Sequence, residues 1–131
     1  MPDYVIKRLE EAPDVLGDYP GEMRMMTYEL DAEKVAFTWR RMPTKTGGKG
    51  SYGHRHRDAE EIYFVSEGKL QFKLEDDVIE AEAGTTILVP PHVLRSVWND
   101  EPEDAVLIIV SNRVADPRTD AETVPDFWPD E

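Results

Sequence analysis

The sequence predicts an all-β domain built as a sandwich or a barrel, and three observations support this prediction. Short segments rich in β-branched and aromatic residues follow one another at even spacing along 131 residues. Turn signals such as Glu67-Gly68 and Pro90-Pro91 separate these segments. Apolar residues show no sustained helical period anywhere in the chain. These features favour strands joined by tight turns over a bundle of helices.

The predicted strands begin near the start of the chain. Residues 4–9 are expected to form a first short strand, residues 23–30 a second and residues 35–42 a third. Further strands are expected at residues 52–57, 61–66, 69–75, 78–81, 86–89, 94–98 and 105–110.

The length of the chain is that of one domain, 1–131. Within this domain we expect an N-terminal arm of strands at 1–34 that adds to the sheet. A barrel core is expected at 35–112, followed by an acidic C-terminal tail at 113–131.

Composition and charge narrow the possible partners. The formal net charge of −13 argues against nucleic acid and anionic membranes, because both require a basic face. The chain has no cysteine, which excludes a disulfide scaffold, a thiolate metal site and a cysteine nucleophile. The first residues lack the pattern of a secretory signal, and no apolar run is long enough to cross a bilayer. We therefore expect a cytoplasmic protein.

Two histidines and a carboxylate form the most informative cluster of the sequence. His54 and His56 lie one residue apart in a predicted strand, so both side chains point to the same face. Glu61 begins the next strand, and a short bend would bring its carboxylate beside the two imidazoles. This donor set suits one divalent transition metal such as Fe, Mn, Zn or Ni.

The same stretch resembles the first motif of the cupin family, which reads Gly-x5-His-x-His-x3,4-Glu-x6-Gly. Gly48, His54, His56, Glu61 and Gly68 match it at the required spacing. The resemblance covers roughly residues 38–110. It implies a double-stranded β-helix, or jelly roll, with the site inside the barrel.

The second cupin motif, Gly-x5-Pro-x-Gly-x2-His-x3-Asn, is matched only in part. Gly84, Pro90 and Asn99 fit it, but His92 stands at the position of its glycine. Arg95 stands at the position of its metal-binding histidine. Because a guanidinium has no lone pair to donate and repels a cation, the fourth ligand that the resemblance implies is absent.

Three interpretations of the pocket follow from this substitution. In the first, His54, His56 and Glu61 hold a metal as a facial triad, while Arg95 binds an anionic group of the ligand. In the second, Arg95 pairs with Glu61 and the pocket is metal-free. In the third, His92 swings in as a replacement ligand.

The two-residue period of the strands also predicts which side chains line the pocket. Tyr63 shares a face with Glu61, and Asn99 shares a face with Arg95, so both are candidate ligand-binding residues. Tyr52 is expected near the mouth of the pocket. Val65 and Val97 lie on the same faces, where they could equally be plain core.

Two functions from different classes compete at this point. The resemblance implies metal-dependent dioxygenases, isomerases and decarboxylases as possible enzymes. The alternative is a metal-free cupin that binds or senses a small anionic molecule through Arg95.

A homodimer is also expected. Residues 62–65 are apolar at every position, so both faces of that strand need a cover, which the N-terminal strands or a second copy would supply. Phe127 and Trp128 are expected to cover their own barrel, with a contact to a partner as the alternative.

Overall fold

The protein is an antiparallel β-barrel of the jelly-roll type, so the predicted fold class is confirmed. A computed structural model describes residues 3–130; residues 1, 2 and 131, which belong to the predicted arm and tail, lie outside them. The strands in chain order are β1 (Glu22–Met25), β2 (Val35–Met42), β3 (Thr46–Gly47), β4 (Tyr52–His56), β5 (Glu61–Glu67), β6 (Lys69–Leu74), β7 (Asp77–Glu82), β8 (Thr86–Val89), β9 (Arg95–Asn99), β10 (Ala105–Asn112) and β11 (Ala121–Pro125).

These strands form two facing sheets. The first sheet has the order β1-β2-β10-β5-β8, and the second has the order β11-β4-β9-β6-β7 with β3 paired to β9. The turn between β5 and β6 crosses from one sheet to the other at Gly68, whose φ is 76°. A side chain there would be strained and would collide with the backbone of Asp104 and Ala105, which explains the glycine.

Apolar side chains from the inner faces of both sheets meet inside the barrel. Along β5, buried Tyr63 and Val65 alternate with more exposed residues, as the two-residue period predicts. The buried core consists of Met42, Tyr63, Val65, Leu70, Phe72, Ala81, Val89, Ala105 and Leu107.

The N-terminal arm differs in part from the prediction. Strand β1 does add to the edge of the first sheet, by pairing with β2. Residues 4–9 form no strand, however, because no neighbouring strand is available to pair with them, and a 3-10 turn follows at Leu9–Glu11. The strand predicted at 23–30 ends at Met25, where the one-turn helix α1 (Met26–Glu29) begins. The Thr27 hydroxyl accepts a hydrogen bond from the amide of Phe37 at 2.8 Å and fixes α1 against β2.

The C-terminal tail is an ordered part of the barrel wall. The one-turn helix α2 (Pro117–Asp120) begins after Asp116, whose carboxylate accepts a hydrogen bond from the Arg118 amide. Strand β11 then pairs with β4 along its whole length. Trp128, only 5% exposed, is buried against the same chain, and its carbonyl accepts a hydrogen bond from the Gly50 amide. No helix of residues 3–130 combines the length and the hydropathy that a membrane span requires.

Candidate metal centre and ligand cavity

Three of the predicted site residues come together inside the barrel. Strand β4 of the second sheet directs His54 and His56 to its inner face, while Glu61 enters from the first sheet as the first residue of β5. The imidazole rings are nearly perpendicular, with an interplanar angle of 89° and centroids 5.1 Å apart. One donor atom from each of the three residues lies within 4.8 Å of the other two.

The distances among these donors fit a shared metal ion. Glu61 Oε1 lies 3.5 Å from His56 Nε2 and 3.9 Å from His54 Nε2. Donors bound at about 2.1 Å to one ion stand roughly 3 to 3.5 Å apart, so small side-chain rotations would bring all three to bonding distance. Three protein ligands of this kind leave open positions on the ion.

His56 carries the most specific sign of a metal site. Its Nδ1 lies 3.0 Å from Asp120 Oδ2, and because a carboxylate only accepts hydrogen bonds, Nδ1 holds the ring proton. In the neutral imidazole, Nε2 therefore presents a lone pair toward Glu61, and this buried nitrogen has no hydrogen-bond partner among the described residues. The contact with Glu61 raises the pKa of His56, burial opposes this shift, and Asp120 adds to it. A metal ion would satisfy the orphaned nitrogen.

Glu61 is held in its charged form. Burial acts to raise the pKa of the Glu61 carboxyl, but contacts with His54, His56 and Tyr63 outweigh it, and the pKa stays well below its usual range. The Tyr63 hydroxyl donates a hydrogen bond to Oε1 at 2.6 Å. Burial raises the pKa of Tyr63 well above its usual value, so this hydroxyl keeps its proton. The site therefore offers an anionic ligand at neutral pH.

Arg95 is inside the barrel but has little free hydrogen-bonding capacity. The residue is 1% exposed, and its Nη1 and Nη2 donate to the backbone carbonyls of Val89, Pro90 and Pro91 at 3.1 to 3.4 Å. Its Nε lies 3.8 Å from Glu61 Oε1 and makes no hydrogen bond. Arg95 thus clamps the segment between β8 and β9 and adds positive charge to the site. It presents no open fork to a ligand.

The other predicted site residues lie in three different places. Tyr52 is half exposed at the mouth of the cavity, as its position in β4 suggests. Asn99 is fully buried outside the cavity, and its amide donates to the carbonyls of Met42 and Glu103 at 2.8 Å. The prediction placed Asn99 on the correct face but at the wrong depth, because a two-residue period does not distinguish one end of a strand from the other. His92 is exposed in the turn before β9, away from the donor group.

Two residues of the site were missed in the sequence. Asp120 reaches His56 from the tail, and the helix-start pair Asp116-Pro117 was the available signal that this part of the tail is structured. Arg40 lines the cavity from β2, where a charged residue shares the inward face with buried Met42. That break in the apolar alternation was visible in the sequence.

The site opens into a cavity of about 810 Å³ between the two sheets. Its size is that of pockets that enclose metabolite-sized molecules. A smaller cavity of about 180 Å³ reaches Glu61, His56 and Asp120 from the side of α1 and α2. Lining side chains that shape the larger cavity include Leu16, Met23, Tyr52, Phe72 and Val97.

A comparison with protein families agrees with this architecture. The family model described as the cupin domain matches residues 41–111, which is more than half of the chain. The chain belongs to the cupin family. No curated protein matches it.

Many solved structures share this cupin fold at low sequence identity. A putative sugar phosphate isomerase from Acidithiobacillus ferrooxidans shares 18% sequence identity with this chain, with a TM-score of 0.63. The match covers 82% of this chain and 64% of the isomerase chain. A predicted oxalate decarboxylase from Thermotoga maritima shares 18% sequence identity, with a TM-score of 0.68. The match covers 84% of this chain and 100% of the decarboxylase chain. A cupin protein from Bacteroides fragilis is 16% identical with a TM-score of 0.67, covering 88% of both chains. These likenesses concern the fold.

Proposed function

We propose that this cupin binds one divalent transition metal through His54, His56 and Glu61 and uses it on a small anionic molecule, as an oxygenase or an isomerase. The observation that carries this proposal is the buried Nε2 of His56, which has no partner while Asp120 holds Nδ1. Fe, Mn, Zn and Ni all accept this donor set. When bound, such an ion polarises a carbonyl, activates water or binds dioxygen at its open positions.

The residues around the donors have defined tasks in this proposal. Tyr63 keeps its proton and fixes the orientation of the Glu61 carboxylate. The cavity wall excludes most water and holds the organic part of the ligand. The names of two similar structures, a putative sugar phosphate isomerase and a predicted oxalate decarboxylase, agree with an anionic ligand.

Metal content tests the proposal directly. Protein purified without chelator, or reloaded with each of the four metals, is expected to hold close to one ion per chain by elemental analysis. His56→Ala is expected to lose that ion. His92→Ala provides the matched control, because His92 is exposed in a turn, and it should retain the metal. Wild-type protein that holds no ion under any loading condition would contradict the proposal.

A metal-free binding protein is the second candidate, and the position of Arg95 favours it. The buried guanidinium lies beside Glu61, with 3.8 Å between Nε and Oε1, and offsets part of the carboxylate charge without any ion. This candidate predicts ligand affinity that survives complete chelation. If chelation removes all binding of a cavity ligand, the candidate is excluded.

We also propose a cytoplasmic homodimer in which a second copy covers the outer face of the first sheet. This outer face carries two rows of apolar side chains, and its members include Phe37, Ile62 and Leu88, which are 37%, 41% and 58% exposed. Because each copy carries a net charge of −13, a contact through uncharged side chains is favoured, since it places no like charges next to one another. Each row runs across the paired strands β2, β10, β5 and β8. The first row consists of Trp39, Ile108, Phe64 and Thr86, of which only Thr86 has a polar side chain. The second row consists of Phe37, Val110, Ile62 and Leu88.

A further inference from the structure

Arg40 is a charged side chain that lines the ligand cavity and forms no salt bridge with any of residues 3–130. It lies on the inward face of β2 between Thr38 and Met42, and it is partly buried. Its buried Nε has no hydrogen-bond partner within residues 3–130. The structure therefore holds a cavity-lining guanidinium whose Nε is left unpartnered by these residues.

The neighbouring arginines show that this arrangement is unusual in the molecule. Arg41, the next residue, faces the outside of the barrel and bonds to Glu22 at 2.9 Å and to Asp104 at 3.0 Å. Arg95, the other arginine of the cavity, is engaged by three backbone carbonyls. Arg40 is thus the cavity arginine whose charge the protein leaves unmatched.

The groups that face Arg40 cannot neutralise it. Burial lowers the pKa of the Arg40 guanidinium, and the ionisable groups that oppose this shift are the hydroxyls of Tyr19, Tyr52 and Tyr63. An arginine nevertheless stays charged in proteins, and tyrosine hydroxyls are neutral at ordinary pH. A partly desolvated charge without a partner is a cost to the folded state. A ligand that brings a negative charge would remove that cost.

The charge of the whole cavity points in the same direction. The protein carries a net charge of −13, yet the cavity lining includes Arg40, Lys49 and Arg95 and only one carboxylate, Glu61. An acidic surface around a cationic cavity selects anions at the cavity itself and weakens binding elsewhere on the protein. The apolar wall formed by residues such as Leu16, Met23 and Phe72 requires in addition an organic body on the ligand.

From these observations we infer that Arg40 binds the oxyanion of the ligand, a carboxylate or a phosphate, while the remainder of the same molecule extends toward His54, His56 and Glu61. A planar guanidinium matches both oxyanions by paired hydrogen bonds. Tyr63 lines the same cavity as Arg40 and bonds to Glu61, so it can contact the ligand between the two ends. The placement of the other end of the ligand at His54, His56 and Glu61 rests on the proposed function. Anion binding at Arg40 does not require the metal.

Binding of simple probes to the full-length protein tests this inference. Benzoate, inorganic phosphate and the neutral analogue benzamide are titrated by calorimetry at constant ionic strength, with chelated and with metal-loaded protein. Arg40→Gln is the test variant, and Arg41→Gln is the matched control because it removes an arginine one position away on the outer face. We expect benzoate or phosphate to bind wild type and Arg41→Gln equally, and to bind Arg40→Gln at least about tenfold more weakly. Benzamide should bind none of them.

The outcomes separate the two oxyanions and the two proposals. If only benzoate binds and its binding is weakened in Arg40→Gln, the ligand carries a carboxylate. If only inorganic phosphate behaves in this way, the ligand carries a phosphate. The inference is overturned if neither anion binds wild type, if Arg40→Gln binds as tightly as wild type, or if benzamide binds like benzoate. A wild-type protein that holds no metal but binds an anion through Arg40 refutes the metal centre and leaves the inference standing.

Thermal unfolding without any anion provides a second measurement. Because Arg40 is an unmatched charge, Arg40→Gln should unfold at the same temperature as wild type or at a higher one. An unfolding temperature below that of wild type would mean that Arg40 stabilises the fold, and the premise that its charge is unmatched would then be wrong.

Discussion

The carboxylate of Asp120 lies 3.0 Å from Nδ1 of His56 and connects the C-terminal tail to the candidate metal centre. The same carboxylate accepts hydrogen bonds from the amides of Asp58 at 2.7 Å and Ala59 at 3.3 Å, so its own orientation is fixed independently of His56. A carboxylate behind a ligating histidine sets the tautomer and raises the basicity of the ligating nitrogen. Asp120 is therefore a positioning residue that acts through His56.

Replacement of Asp120 tests this role. Asp120→Asn keeps the size of the side chain but removes its charge, and we expect metal affinity to fall about 10- to 100-fold. The matched control is Glu122→Gln, two residues further along in β11, because Glu122 pairs with Arg55 at the surface and does not touch the donors. The affinity is measured by competition with a coloured chelator. Equal affinities of Asp120→Asn and wild type would show that the hydrogen bond does not position His56.

The three candidate metal ligands could be predicted from the sequence, whereas the contact of Asp120 with His56 could not. The spacing of His54, His56 and Glu61 suggested a metal centre because β4 and β5 follow one another in the chain, and the two-residue period places both histidines on one face of β4. Asp120 lies 64 residues beyond His56, in a tail whose acidity suggested only a solvated segment. No local pattern indicates that β11 pairs with β4, because strand partners far apart in sequence are chosen by the packing of the whole barrel.

The strands also show that features set by neighbouring residues were predicted, while features set by distant contacts were not. Strand β2 and strand β8 were predicted at their observed bounds, because each has a clear apolar pattern between turn residues. The predicted strand at residues 23–30 failed, because α1 depends on the contact between Thr27 and Phe37 in another strand. The arginine at the position of the fourth ligand was visible in the sequence, but its three carbonyl partners were not, because they are set by the shape of the turn that Arg95 clamps.

Substitutions of Arg95 test whether its positive charge lowers the affinity of the site for a metal. Arg95→Ala removes a repelling charge and should raise metal affinity modestly, whereas Arg95→His also supplies a lone pair and should raise it further, by about tenfold or more. Both variants lose the hydrogen bonds to the segment before β9, so each should be destabilised by about 2 kcal/mol or more. Equilibrium unfolding and metal titration measure the two effects separately. If neither variant binds metal more tightly than wild type, Arg95 does not oppose the ion.

The pH dependence of the metal-free protein follows from the raised pKa of His56. The contact with Glu61 is the main cause of the raised value, burial opposes it, and Asp120 adds to it. A group whose pKa is higher in the folded state stabilises that state below its unfolded pKa, here 6.5, and the stabilisation is lost as the pH rises through the folded value. The chelated protein should therefore unfold at a lower temperature at pH 8.5 than at pH 6, by a margin that His56→Gln abolishes.

Metal-loaded protein should show the opposite trend over the same pH range. The ion competes with the proton for Nε2 of His56, so the loaded protein gains stability as the pH rises and the histidine is deprotonated. Thermal scans of chelated and loaded samples in the same buffers measure both slopes. Parallel slopes in the two samples would show that His56 does not exchange a proton for the metal.

The two apolar rows on the outer face of the first sheet lead to a prediction about assembly. Ile62 lies near the middle of this face, paired with Val110 on one side and Leu88 on the other. Ile62→Glu would place a charge in the interface of each copy, and the symmetry of a dimer would place two. We expect this variant to be monomeric by light scattering at micromolar concentration, while wild type is dimeric. Val78→Glu is the matched control, because Val78 is exposed to a similar degree on the second sheet and should leave the dimer intact. A monomeric wild type, or dissociation by both variants alike, would rule out this face as the contact between copies.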